Sequence, residues 1–83
     1  MMTEKATIEV FTSEDCGRCE TVLKRANKVS KQTNAEVVVR DIEQDRSIAL
    51  ARGVFSVPTT VVDEEVTLQG VPSSDEIRDA AVR

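Results

Sequence analysis

Histidine, tryptophan and tyrosine are absent from this 83-residue chain, and the only aromatics are Phe11 and Phe55. A core with so few rings has to be assembled from Val, Ile, Leu and Ala. With no His and two Cys, a single chain cannot close a tetrahedral zinc site, which wants four ligands. No apolar run approaches the roughly 20 residues needed to cross a bilayer. The opening Met1-Met2-Thr3-Glu4-Lys5 lacks the apolar centre of a signal peptide. Nor do Lys and Arg cluster into a basic patch, and the net charge of −4 argues against nucleic-acid partners. Internal repeats, low-complexity segments and composition breaks are missing too. What remains is a composition of 40% hydrophobic and 31% charged residues, which describes an ordinary soluble globule rather than a disordered chain. The expectation is therefore one domain over residues 1–83, monomeric, with no membrane or nucleic-acid partner. Its expected place is the cytoplasm, where thiols stay reduced and a disulfide is more often catalytic than structural.

The residues that are present alternate between two periods. Residues 6–12 are rich in Ile, Val, Phe and Thr and read as a strand. Ser13-Glu14-Asp15 interrupts it with side chains suited to a loop or a helix cap. From Cys16 to Thr33, Val22, Leu23, Ala26 and Val29 recur at helical spacing, and Asn34 is a plausible left-handed stop. Residues 36–41 carry Val37-Val38-Val39, a run suited to a strand buried on both faces. A strand, helix, strand unit of this kind crosses over right-handed and leaves its strands parallel.

After the polar connection Asp41 to Asp45 comes a short helix over residues 46–52, ended by Gly53. Pro58 can enter a third strand, Thr59 to Val62, because an entering residue need not donate to the ladder. Asp63-Glu64-Glu65 reads as a solvated turn into a fourth strand, Val66 to Leu68. Ser73, with Glu76 three residues on, forms a capping box for a last helix reaching Val82. The order is βαβαββα: an α/β fold with a four-stranded mixed sheet and helices on both faces.

Chemistry concentrates at Cys16-Gly17-Arg18-Cys19, where the first strand gives way to the first helix. A helix N-terminus lowers the pKa of a thiol placed there, through free N–H groups and the macrodipole. That makes Cys16 the candidate nucleophile. Cys19, one turn deeper on the same face, is placed to resolve a mixed disulfide formed by Cys16. Open sheets of this class put their chemistry beyond the carboxyl ends of the parallel strands, which is where Cys16 falls. Arg18 admits two accounts: its charge stabilises a Cys16 thiolate, opposed by Glu14 and Asp15, or it projects into water.

With those elements in place the sequence resembles the thioredoxin superfamily in its short, glutaredoxin-sized form, from about Ile8 to Val82. Cys16-Gly17-Arg18-Cys19 is similar to the family's C-G-x-C site. Gly53-Val54-Phe55-Ser56-Val57-Pro58-Thr59 is similar to the segment ending in its cis-proline, and Gly70-Val71 to the glycine loop after the last strand. The resemblance implies a cis Val57–Pro58 bond and a substrate-binding set of Gly17, Arg18, Val57, Pro58, Gly70 and Val71. In that set the Val57 backbone pairs with an extended substrate and Gly70 permits close approach. Two positions depart from the pattern. Asp15 stands where thioredoxins usually have Trp, and Val10 stands where they bury an Asp behind the dithiol. Glutaredoxins place an aromatic inside the motif and a Gly-Gly pair near the last helix to hold glutathione. Here Gly17-Arg18 and a single Gly70 stand in those places, which argues against a glutathione site, and Ser73-Ser74-Asp75 could offer only part of one.

The activity implied is thiol–disulfide oxidoreduction on protein disulfides through Cys16 and Cys19. The redox-active disulfide would be the only cofactor, and the electron donor a thioredoxin-reductase-like enzyme or a low-molecular-weight thiol. The alternatives are a glutathione-dependent, glutaredoxin-like enzyme and a carrier holding a soft metal or Fe–S cluster between two CxxC pairs. A purely structural disulfide is a poor rival, because a loop this short removes little entropy from the unfolded chain.

Overall fold

A computed structural model describes residues 5–82; residues 1–4, most of the segment in which no signal peptide was read, lie outside the described residues. Seven elements follow in the expected order: β1 (Thr7–Thr12), α1 (Gly17–Thr33), β2 (Glu36–Asp41), α2 (Arg46–Ala51), β3 (Thr59–Val62), β4 (Val66–Gln69) and α3 (Ser74–Ala81). They form one four-stranded sheet in the order β2-β1-β3-β4. β1 runs parallel to β2 and antiparallel to β3, and β3 runs antiparallel to β4. No helix among the described residues is long and apolar enough to cross a membrane.

Alternation along β1 divides the core. Ile8 and Val10 face α1 and α3, where Val22, Ala26, Val29 and Ile77 meet them. Phe11 points the other way, into a smaller cluster with Ala49 of α2, Val54 and Val61. The helices thus cover both faces, and aliphatic residues fill the larger layer. The two aromatics part company: Phe11 is wholly buried, whereas Phe55 is 79% exposed.

Local signals set most boundaries. Asn34 closes α1 with φ 66°, and Ser73 and Glu76 form the full capping box of α3. α2 stops at Ala51, a residue earlier than the sequence suggests, and Gly53 turns the chain with φ +71°. The β3–β4 turn needs two non-glycine residues at positive φ, Asp63 and Glu64. Asp63 is fastened there by reciprocal bonds with Thr7: it donates its N–H to the Thr7 carbonyl, and its carboxylate accepts the Thr7 N–H, both at 2.8 Å.

One expectation fails. β2 is an edge strand, not a strand buried on both faces, and Val39 is 57% exposed. Continuous Val triplets suit an interior position, but the sheet gains its remaining strands on the far side of β1, so β2 has one neighbour only. Ser13-Glu14-Asp15 forms the β1–α1 loop and supplies no side-chain cap.

Thr60 also breaks the pattern. It pairs with Val10 and Leu68 inside the α1 layer, fully buried, and its hydroxyl has no partner among the described residues. A buried unsatisfied hydroxyl costs about 1–3 kcal/mol. Thr60→Val is therefore expected to raise stability by about 1 kcal/mol, read as a higher urea midpoint at unchanged m-value. A lower midpoint would show that the hydroxyl contributes a bond.

Candidate functional site

Three chain segments meet at the edge of the sheet where β1 ends. Register brings them together: Phe11 at the end of β1 pairs with Thr59 at the start of β3, and Thr59 pairs with Gln69 at the end of β4. The residues just beyond those three positions are the Ser13–Gly17 loop, Val57–Pro58 and Gly70–Val71. Of the residues singled out in the sequence they carry Cys16, Gly17, Val57, Pro58, Gly70 and Val71, drawn from places far apart in the chain.

Cys16 is the N-cap residue of α1, in extended conformation with φ −95°, and no side chain caps the helix. The first N–H groups of an α-helix lack the partners its interior has, so the N-cap position of Cys16 is at the positive end of the helix dipole. Cys19 lies one turn in, 3% exposed, among the buried positions of α1. The two are joined as a disulfide with Cα atoms 5.4 Å apart. Their environments are unequal. Cys16 lines a shallow cavity of about 350 Å³ together with Ser13, Asp15, Gly17, Arg18 and Val57, and Cys19 does not reach it. The Cys19 sulfur instead sits 4.0 Å from the Phe11 carbonyl oxygen, beneath the helix.

The Val57–Pro58 peptide is cis, as the resemblance implies. Thr59 donates its hydroxyl to the Ser56 carbonyl at 2.7 Å, tightening the turn that leads into β3. Val57 is half-buried on the cavity wall, and its backbone takes no part in the turn and loop hydrogen bonds of the described residues. Gly70 donates its N–H to the Pro58 carbonyl at 3.0 Å and has φ +76°, a region that favours glycine. A Cβ at Gly70 would meet nothing within 4 Å, so the backbone conformation, not a neighbour, demands glycine there. Val71 beside it is 36% exposed. Arg18 is exposed, forms no ion pair among the described residues, and lines the same cavity as Cys16.

Residues 6–81 match the family profile of the thioredoxin domain. The chain belongs to the thioredoxin domain family. A probable thioredoxin of Methanothermobacter thermautotrophicus is 32% identical over 75 residues, 88% of each chain. A probable thioredoxin of Archaeoglobus fulgidus is 29% identical over 73 residues, 86% of this chain and 80% of that one. Among solved structures, a mutant thioredoxin from Halobacterium salinarum superposes with a TM-score of 0.82 at 27% identity, covering 93% of this chain and 72% of the other. An N-terminal domain of the alkylhydroperoxide reductase AhpF of Enterococcus faecalis gives the same TM-score at 25% identity, over 94% of this chain and 38% of that one.

As a thioredoxin-family site this one has an apolar floor. Val10, at the position the resemblance gives to a buried Asp, is fully buried in the aliphatic layer. The only buried carboxylate among the described residues is Glu9, one residue earlier and therefore on the opposite face of the sheet. Local pattern does not single out Glu9, because in a strand of alternating character a lone acid suggests solvent. It is instead 3% exposed and held by two arginines. Arg40 donates Nε to Oε2 at 3.0 Å and Arg52 donates Nε to Oε1 at 2.8 Å. Burial by itself pushes the Glu9 carboxyl up. The hydrogen bonds and charges of Arg52 and Arg40 outweigh it and hold the group below the usual carboxylate range. Glu9 in turn raises Arg52 further above its ordinary value.

Proposed function

We propose that the protein is a thiol–disulfide oxidoreductase that reduces disulfides in other proteins, with Cys16 as the attacking sulfur and Cys19 as the resolving one. The observation that carries this reading is the inequality of the two sulfurs: one opens onto a cavity at a helix N-terminus, and its disulfide partner is buried beneath it. In the reduced protein the Cys16 thiolate attacks one substrate sulfur. The substrate S–S bond breaks, a mixed disulfide forms, and the displaced substrate thiolate takes up a proton. Cys19 then loses its proton, attacks the Cys16 sulfur and releases the second substrate thiol. Two electrons pass to the substrate, and Cys16 and Cys19 are left as the disulfide.

Val57, Pro58, Gly17, Arg18, Gly70 and Val71 form the surface on which the substrate lies in this reading. The uncommitted backbone of Val57 supports pairing with an extended segment that carries the target Cys. With Val10 in the floor, the proton of Cys19 leaves through water or the substrate rather than a buried carboxylate. A flavin reductase or a low-molecular-weight thiol in the cytoplasm restores the dithiol in this reading.

The test is reduction of insulin disulfides with dithiothreitol as donor. The wild-type protein should accelerate the reaction, and Cys16→Ser should show the background rate. Equal rates would overturn the reading. Replacing dithiothreitol by glutathione then separates the general enzyme from a glutathione-dependent one.

A further inference from the structure

Arg25 lies on α1 about two and a half turns beyond Cys16. Its neighbours Lys24 and Lys28 are exposed, as a solvated helix face requires, but Arg25 is half-buried. Its guanidinium donates Nη1 to the carbonyl oxygen of Pro72 at 2.9 Å. The receiving segment joins β4 to α3 and is fastened at three points. Gly70 is bonded to Pro58, Pro72 to Arg25, and Ser73 is locked by the capping box of α3. Val71 lies between the fastenings, takes none of these bonds itself, and exposes its side chain at the edge of the site.

We propose that Arg25 is a positioning residue for protein substrates: it sets the height of the Gly70–Pro72 loop over the dithiol. The inference rests on the oxidoreductase reading of Cys16 and Cys19. The physical reason is that α1 is one rigid rod. Cys16 stands at its start and Arg25 on its flank, so a bond from Arg25 to the loop references the substrate wall to the same body that carries the attacking sulfur. The Gly70–Pro58 bond ties the loop to the sheet only. Pro72 is buried, and its carbonyl takes the guanidinium as a donor in a part-buried setting, where losing a partner carries a cost. The apolar stem of Arg can lie along the helix while its head reaches this acceptor.

A loosened loop should matter to a substrate that lies across it and not to one that merely reaches Cys16. The experiment compares wild-type, Arg25→Ala and Arg25→Lys proteins with two substrates, insulin and the small disulfide dithiobis-nitrobenzoate, with thermal unfolding recorded for each. Arg25→Ala is expected to raise KM for insulin about fivefold to tenfold, with kcat and the small-disulfide rate within about twofold of wild type. Arg25→Lys should recover most of the loss, because an ammonium can still donate to a carbonyl. An unchanged insulin KM, or a parallel fall with both substrates, would overturn the role of Arg25. A wild-type protein that reduces neither substrate would overturn the oxidoreductase reading, and the positioning role with it.

Discussion

In the Cys19→Ser protein, turnover of protein disulfides is expected to fall by roughly a thousandfold or more, while a covalent adduct with the substrate accumulates. The two parts follow from the unequal placement of the sulfurs. Cys16 lines the open cavity and retains its helix N-terminus, so capture does not need Cys19. Release does. The Cys19 sulfur is buried under the helix, where no substrate can meet it, so the one disulfide it can attack is the one held by its neighbour. Without it, the adduct waits for an external thiol. Non-reducing electrophoresis with mass analysis of the adduct is the measurement. If Cys16→Ser forms the adduct and Cys19→Ser does not, the assigned roles are reversed. Used as bait in an extract, the same variant would also identify the proteins that fit the surface around Val57 and Val71.

Glu9→Gln is expected to be the most damaging conservative change outside the site, costing about 3 kcal/mol, in the range found when one partner of a buried ion pair is removed. Arg40 and Arg52 would both lose their counter-charge while remaining only 27% and 21% exposed. Glu64, 3.6 Å from Arg52 and itself 68% exposed, cannot replace it. For a domain of this size, about 3 kcal/mol corresponds to a fall in Tm of roughly 12–24 °C. Acid should erase the difference. The folded-state pKa of Glu9 is depressed, so its contribution is fully present above the pKa of the unfolded chain and is lost as pH falls through the folded value. Urea unfolding of both proteins from pH 7 down to the acid limit of folding measures this. The gap between them should narrow steadily below the ordinary carboxylate range. A constant gap at every pH would mean that shape, not charge, holds the cluster together.

Glu9 and Arg25 show where reading the chain falls short. Both sit in segments whose element type is plain, β1 and α1, and both are charged residues that local pattern assigns to solvent. Their partners are remote: Arg40 is 31 residues from Glu9, Arg52 is 43, and Pro72 is 47 from Arg25. No periodicity within one element carries that information. Val39 shows the converse error, since a Val triplet looks interior until the strand order puts β2 on the edge.

The sequence by itself determined the elements, the dithiol at the start of α1 and the proline segment, because those depend on spacing within a few residues and on turn and cap chemistry. It also limited what the site could contain, since a chain with no His and two Cys has few ways to be reactive. Only the tertiary structure decided that Cys16 is open and Cys19 closed, that a buried carboxylate is neutralised on the face away from the dithiol, and that a helix arginine holds the loop beside it. Those are matters of which side chain loses its water. Desolvation is set by neighbours brought in from elsewhere in the chain, and it has no signature until they have packed.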